Sequence, residues 1–332
     1  MKGYLFCNTP DIVRKSSSGG AYSAIITTTN GRIHNKLAIY GAAFDEKLMV
    51  VHKKYTAEDY EPLRGSKYCF SRYSPIMSSV KDDLNKGEYV IFTGTPCQVF
   101  ALKSFLNKEK IGCDKLLTID LICHGSPDIK LWCAYKNWLE KRHKKRLNTF
   151  KFRYKDARWN GYSLMAEFED SKRIVNTHDL QVYMDLYFTH QVMRKSCYTC
   201  RFASTERFGD ITLGDFWGAE DIFPTIISDS VRKRGISLMI PNTEKGLTII
   251  KQMIGISADQ GWLIKECVDD SFVKYQTGLN APIEKPKDYD EFCQFAAKND
   301  FDAIVKKYAG FNFKGKLRYW IKYMANFLGL IK

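Results

Sequence analysis

The stretch Tyr89-Val-Ile-Phe-Thr-Gly-Thr-Pro-Cys-Gln98, running on into Val99-Phe-Ala-Leu-Lys-Ser-Phe-Leu106, carries the fold class. Tyr89 to Thr93 is a short apolar run of the kind that forms a buried strand, and Val99 to Leu106 has helical periodicity. Between them Thr95 suits the N-cap, Pro96 the first helical position and Gln98 the reciprocal capping partner. A second apolar run, Leu116 to Ile122, ends in Cys123-His-Gly-Ser-Pro127, with a further helix expected from Ser126 through Trp132 and Trp138. Strand, helix, strand predicts a parallel βαβ unit. Cys97 and Cys123 each follow the carboxyl end of a strand, which places both thiols on the edge where open α/β sheets bind ligands.

Working outward, Ser16-Ser-Ser-Gly-Gly20 precedes the helical pattern Ala21 to Ile26. A Ser/Gly helix start leaves backbone N–H groups for a phosphate, although a plain capped helix has the same sequence. Beyond residue 148 the pattern changes. Phe150 to Tyr154 and Tyr162 to Phe168 alternate like antiparallel strands, and a helix from Leu180 to Met193 leads to Cys197-Tyr-Thr-Cys200. Ile211 to Leu213 and Ile236 to Ile240 read as strands, and Asp269 to Lys287 as loop. From Gly315 to Lys332 apolar residues recur at helical spacing opposite lysine and arginine, the pattern of a packed helix or of one lying on an anionic membrane.

The expected fold is therefore α/β. A mixed sheet with a parallel βαβ core is flanked by helices, with an antiparallel region and a C-terminal amphipathic helix added. The expected regions are 1–148, 149–300 and 301–332. The formal net charge of +14 favours an anionic partner. The start of the chain lacks a signal-peptide pattern and no run is long enough to span a bilayer, so a cytoplasmic protein is expected, at the inner membrane surface if the tail is an anchor. Ten cysteines there read as thiols or metal ligands rather than disulfides.

Six pieces of this chain, in order, resemble the beta-subunit family of coenzyme F420 hydrogenases and dehydrogenases: Ser17-Ser-Gly-Gly-Ala21, Arg64-Gly-Ser-Lys-Tyr68, Gly94-Thr-Pro-Cys-Gln98, Cys123-His-Gly125, Cys197-Tyr-Thr-Cys200 with Arg207, and Asp210 to Gly218. The likeness runs from about residue 10 to about residue 255. It implies an iron–sulfur flavoprotein oxidoreductase, with FAD beside a [4Fe-4S] cluster. Electrons would pass between a ferredoxin-like donor and a small-molecule substrate, the deazaflavin coenzyme being one candidate. The chain departs from the family in lacking the cysteine-rich ferredoxin module, since Cys7 is followed next by Cys69. Electrons are then expected from a separate protein. Short relatives of this kind resemble proteins of surface-polysaccharide gene sets.

Cys97, Cys123, Cys197 and Cys200 form the expected metal set. Four thiolates suit an iron–sulfur cluster or a structural zinc, and the resemblance favours iron–sulfur. Ser17, Ser18, Gly19, Gly20, Gly94 and Thr95 are the expected cofactor-binding residues, with Lys67 as a cation near the phosphates or the flavin ring. No catalytic residue is assigned, although Cys97 with His124 as base is an alternative nucleophile pair. Arg207 is read either as a cation beside the cluster or as a partner for Asp210 or Asp215. A zinc-stabilised binder of nucleic acid or of a membrane surface is the competing function. Nucleic acid is the less expected partner, because the basic run Lys141 to Arg146 sits at a helix end where cations complement the dipole.

Overall fold

In the computed structural model the βαβ unit lies in the middle of an eight-stranded sheet. The structure describes residues 1–33, 36–155, 163–228, 231, 235–312, 315, 317, 319 and 321. The strands are β1 (Tyr4–Cys7), β2 (Leu37–Phe44), β3 (Val50–Tyr55), β4 (Tyr89–Gly94), β5 (Leu116–Leu121), β9 (Ile211–Asp215), β10 (Ser237–Pro241) and β11 (Leu263–Glu266), and their order is β11-β1-β10-β9-β5-β4-β2-β3. β2, β4, β5 and β9 run parallel, with Val90 opposite Leu116 and Ile119 opposite Ile211. β3, β10, β1 and β11 add antiparallel pairs at the two sides. Strands from before residue 148 and from after it thus share one sheet.

Period-two alternation explains how both faces are covered. Ile39, Ile91, Leu117 and Ile119 point to one face, where they pack on Ile25 and Ile26 of the helix Ala21–Asn30 and on Ile250 and Met253 of the helix Glu244–Gln260. Ala38, Tyr40, Val90 and Phe92 point to the other. There they meet Val80 and Leu84 of the helix Ile76–Asn85 and Val99, Leu102 and Leu106 of the helix Pro96–Lys108. Central parallel strands buried on both faces account for the near-continuous apolar runs.

A second, three-stranded antiparallel sheet is formed by β6 (Leu147–Lys151), β7 (Met165–Phe168) and β8 (Arg173–Val175). It shares an aromatic core with the helices Ile129–His143 and His178–Phe188, in which Trp132, Tyr135, Phe152 and Tyr183 are almost fully buried.

The expected boundaries shift in several places. The helix expected from Ser126 begins at Ile129, because the Asp128 side chain accepts from the Lys130 N–H and is the better cap. The helix expected to reach Met193 ends at Phe188, and a short turn, Lys195–Cys197, precedes the cysteine loop. The segment Asp269 to Lys287 carries two one-turn helices, Ser271–Tyr275 and Thr277–Leu279. Tyr162, and most of the amphipathic helix expected from Gly315 to Lys332, lie outside the described residues. Among the described residues no helix is long and apolar enough to cross a membrane.

Candidate functional site

A cavity of about 1030 Å³ opens beyond the carboxyl ends of β4, β5 and β9, with Thr93, Gly94, Leu121 and Gly214 in its wall. It is at the upper end of the range of small-molecule sites. On one side stands the start of the helix Ala21–Asn30. Gly20 is its N-cap, in the left-handed region at φ 84°, so the first helical turn has no side-chain cap of its own. Ser17, Ser18, Gly20 and Ala21 line the cavity there. Gly19 does not line it. Its N–H donates to Ser237 Oγ at 2.9 Å, and a Cβ on it would fall 2.4 Å from the Phe6 carbonyl oxygen. Gly19 thus lets the loop press against the sheet, while its neighbours face the cavity.

The Ser17 loop is joined to the Arg64-Gly-Ser-Lys-Tyr68 stretch. The Ser66 N–H and hydroxyl both reach Ser17 Oγ, at 2.6 and 3.0 Å. Arg64, also a wall residue, lies over the Tyr60 ring and donates to the Tyr60 hydroxyl at 2.9 Å. Lys67 Nζ donates to the Pro62 and Arg64 carbonyls at 2.8 and 3.0 Å, and burial pushes its ammonium down to about 7. Lys155, only 6% exposed, donates to the Ser18 carbonyl at 2.7 Å and is likewise lowered to about 7 by burial. Of the two, Lys67 lines the cavity and Lys155 does not, so Lys67 is the cation placed to meet a phosphate group there.

Cys123 and His124 carry the wall onward. Cys97, Cys197 and Cys200 lie near enough to Cys123 to act on its charge, although those three lie outside the cavity lining. Burial raises Cys123 to about 12 and moves Cys197 upward as well, with Arg194 acting against the shift at Cys197. A Cβ on Gly125 would lie 3.5 Å from Cys197 Cβ, so the two cysteine loops are packed together. Thr95 Oγ1 lies 3.1 Å from Cys97 Sγ in the first turn of its helix. Among the described residues no three or more His, Cys, Asp or Glu side chains are grouped so as to hold a metal ion. The four expected donors are all sulfur, which suits iron–sulfur or zinc and disfavours hard cations. His124 Nδ1 lies 3.2 Å from the Thr277 hydroxyl, and both residues line the cavity.

Residues 87–258, just over half of the sequence, match the family model described as the C terminus of the coenzyme F420 hydrogenase/dehydrogenase beta subunit. The chain belongs to this family. Among solved structures it is similar to a chain of the F420-reducing [NiFe] hydrogenase complex from Methanosarcina barkeri, with 17% identity and a TM-score of 0.51, covering 97% of this chain and 90% of that one. At that identity the likeness is one of fold. No curated protein matches the chain. Within this F420 hydrogenase/dehydrogenase beta-subunit framework the matched segment includes both cysteine loops, the Cys97 turn and the Asp210–Gly218 block.

Three residues in and beside that block differ in role from one another. Arg207 pairs neither with Asp210 nor with Asp215. It meets Asp120 of β5, and both side chains are essentially unexposed. Asp210 instead accepts from the Thr118 N–H and hydroxyl, each at 2.7 Å, tying β5 to the β9 entry. Asp215 pairs at 3.0 Å with Arg153, which also donates to the Tyr68 hydroxyl. Trp217 and Phe188 line the cavity while remaining 47% and 52% exposed, which marks its mouth. Arg153 and Phe188 were invisible to motif reading, since each sits in an ordinary alternating or helical pattern.

Proposed function

We propose that this family member is an iron–sulfur flavoprotein oxidoreductase. In this reading the cavity holds FAD, with its pyrophosphate toward Ser17, Ser18, Gly20 and the first turn of the Ala21–Asn30 helix. Lys67 balances the phosphate charge, and Gly94 and Thr95 border the flavin. Cys97, Cys123, Cys197 and Cys200 hold a [4Fe-4S] cluster. The observation that carries the reading is Cys123, which belongs to the cavity wall and whose charge is acted on by each of the other three thiols. A flavin in the cavity and a cluster on the thiols would therefore be neighbours.

When bound, such a pair exchanges single electrons on the cluster side and electron pairs on the flavin side. The chain's own part is to bind, orient and exclude water. The helix start and Lys67 neutralise the phosphates. Gly94 and Gly214 lie in the wall, where an added Cβ would crowd Gln98 and Ile122 respectively. Leu121, Phe188 and Trp217 offer apolar surface at the mouth for a small-molecule acceptor. The net charge of +14 supports an acidic, ferredoxin-like donor as the protein partner. The deazaflavin coenzyme and a sugar-linked intermediate of polysaccharide assembly are the acceptor classes to try first.

The test is anaerobic purification of the wild type and of Cys197→Ser, with visible spectra and with iron, zinc and flavin content. A brown-yellow protein containing FAD and iron, with iron lost in Cys197→Ser, supports the proposal. A colourless protein containing zinc and no flavin overturns it.

A further inference from the structure

In and just behind the cavity wall three buried polar side chains from three separate segments form a single ordered chain of hydrogen bonds. They are His52 of the edge strand β3, Ser71 of the strip that follows the Arg64–Tyr68 stretch, and Gln98 of the helix Pro96–Lys108. Their exposures are 5%, 4% and 2%. Backbone bonds set the first two opposite one another. The His52 N–H donates to the Arg72 carbonyl and the Arg72 N–H to the Val50 carbonyl, at 2.9 and 3.0 Å.

The direction of every bond follows from chemistry. The Thr95 N–H can only donate, so the Gln98 atom that meets it at 2.9 Å is the carbonyl oxygen Oε1. Gln98 Nε2 then donates to Ser71 Oγ at 2.9 Å. The Thr93 carbonyl can only accept, so His52 Nε2, 3.0 Å away, carries the proton. His52 Nδ1 is left as the acceptor for the Ser71 hydroxyl, also at 3.0 Å. Nothing in this relay is left over. Burial disfavours the imidazolium, which agrees with the neutral tautomer the geometry requires.

The relay spans a functional boundary. Thr93, Ser71 and Gln98 all line the cavity, while Cys97 sits between Thr95 and Gln98 with its sulfur against the Thr95 hydroxyl. We infer that His52 is a positioning residue: through Ser71 and Gln98 it fixes the Thr95–Cys97 turn to the cavity wall, so that wall and thiol move as one unit. What the wall and the thiol hold rests on the reading above, but the relay itself needs no bound group. A rigid link of this kind matters wherever two centres must keep a set separation, because small displacements at either one change their coupling.

The test compares His52→Phe, His52→Gln and Ser71→Ala with the wild type in the full-length chain. Hydrogen exchange is followed in the segment 93–100 and, as a distant reference, in the helix Glu244–Gln260. The rate of Cys97 alkylation by iodoacetamide is measured on iron-free protein. His52→Phe and Ser71→Ala are expected to speed exchange in 93–100, and alkylation of Cys97, by about tenfold, the scale of one lost buried hydrogen bond. The reference helix should be unchanged. His52→Gln keeps a donor for Thr93 and an acceptor for Ser71 and should stay within about twofold of wild type. Wild-type rates in Ser71→Ala overturn the inference, as does equal acceleration of the reference helix. Ser71→Ala removes only one oxygen and decides the matter if His52→Phe does not fold. Absence of flavin and iron from the wild type would count against the cofactor reading and leave this result standing.

Discussion

Arg207 Nη2 lies 2.7 Å from Asp120 Oδ1 in a fully buried ion pair. The pair is completed on both sides. The other Asp120 oxygen accepts from the Gly209 N–H, and Arg207 also donates to the Thr212 hydroxyl and to the Phe202 and Leu121 carbonyls. It bolts the segment between the cysteine loop and β9 onto the end of β5, one residue before the cavity wall begins at Leu121.

Removing one partner leaves the other charge stranded. Arg207→Met or Asp120→Asn is expected to cost about 3–5 kcal/mol. Urea denaturation of each single variant measures this. A cost below about 1 kcal/mol would mean the remaining charge finds water or a new partner.

Gly19 offers a steric test. An added methyl would meet the Phe6 carbonyl oxygen at 2.4 Å and the Ser237 nitrogen at 2.6 Å, both backbone atoms that cannot swing aside. Gly19→Ala should cost about 1–3 kcal/mol and push the Ser17–Ser18 loop out of place. Thermal melts read the stability, and FAD titration reads the loop.

His52 makes stability depend on pH. Burial lowers its imidazole from 6.5 to about 4, so between those values the unfolded chain binds more protons than the folded one. The neutral-form contribution is fully present above about 6.5 and is lost as pH falls toward about 4. The span corresponds to about 3 kcal/mol. In His52→Gln this part of the slope should vanish from a series of denaturation curves taken between those two values. An unchanged slope would place the titration elsewhere.

Lys67 makes the same argument for ligand binding. Its ammonium is pushed down to about 7, and a phosphate placed beside it would favour the charged form. FAD binding should therefore take up a proton and weaken as pH rises above neutrality, by up to about tenfold per pH unit. Fluorescence titrations of the flavin-free protein at several pH values, with Lys67→Met as control, measure it. A flat profile in the wild type would remove Lys67 from the phosphate site.

The parallel centre and the Cys97 turn were readable in the linear chain because their information is local. Alternating apolar residues select the two faces of β4 and β5, and the Thr95–Gln98 capping box is present as written, with the helix running Pro96–Lys108. The antiparallel placement of β10 between β1 and β9 is not local, and nothing in Ile236 to Ile240 announces which neighbours it takes. Side-chain partners follow the same division. Arg207 has Glu206, Asp210 and Asp215 close by in sequence, yet it bonds to Asp120, which is 87 positions away.

Composition and short-range spacing thus determined the α/β class, the sheet edge at which the cavity opens and the identity of the sulfur and phosphate-site candidates, since strand period, helix caps and turn chemistry act over only a few residues. Tertiary structure alone decided that Ser17 meets Ser66, that Cys123 joins the cavity to the other thiols, that Gly19 faces inward, and that His52 reaches the Cys97 turn through two side chains. Those contacts depend on how distant segments pack, and packing is set by the whole core rather than by any one stretch of the chain.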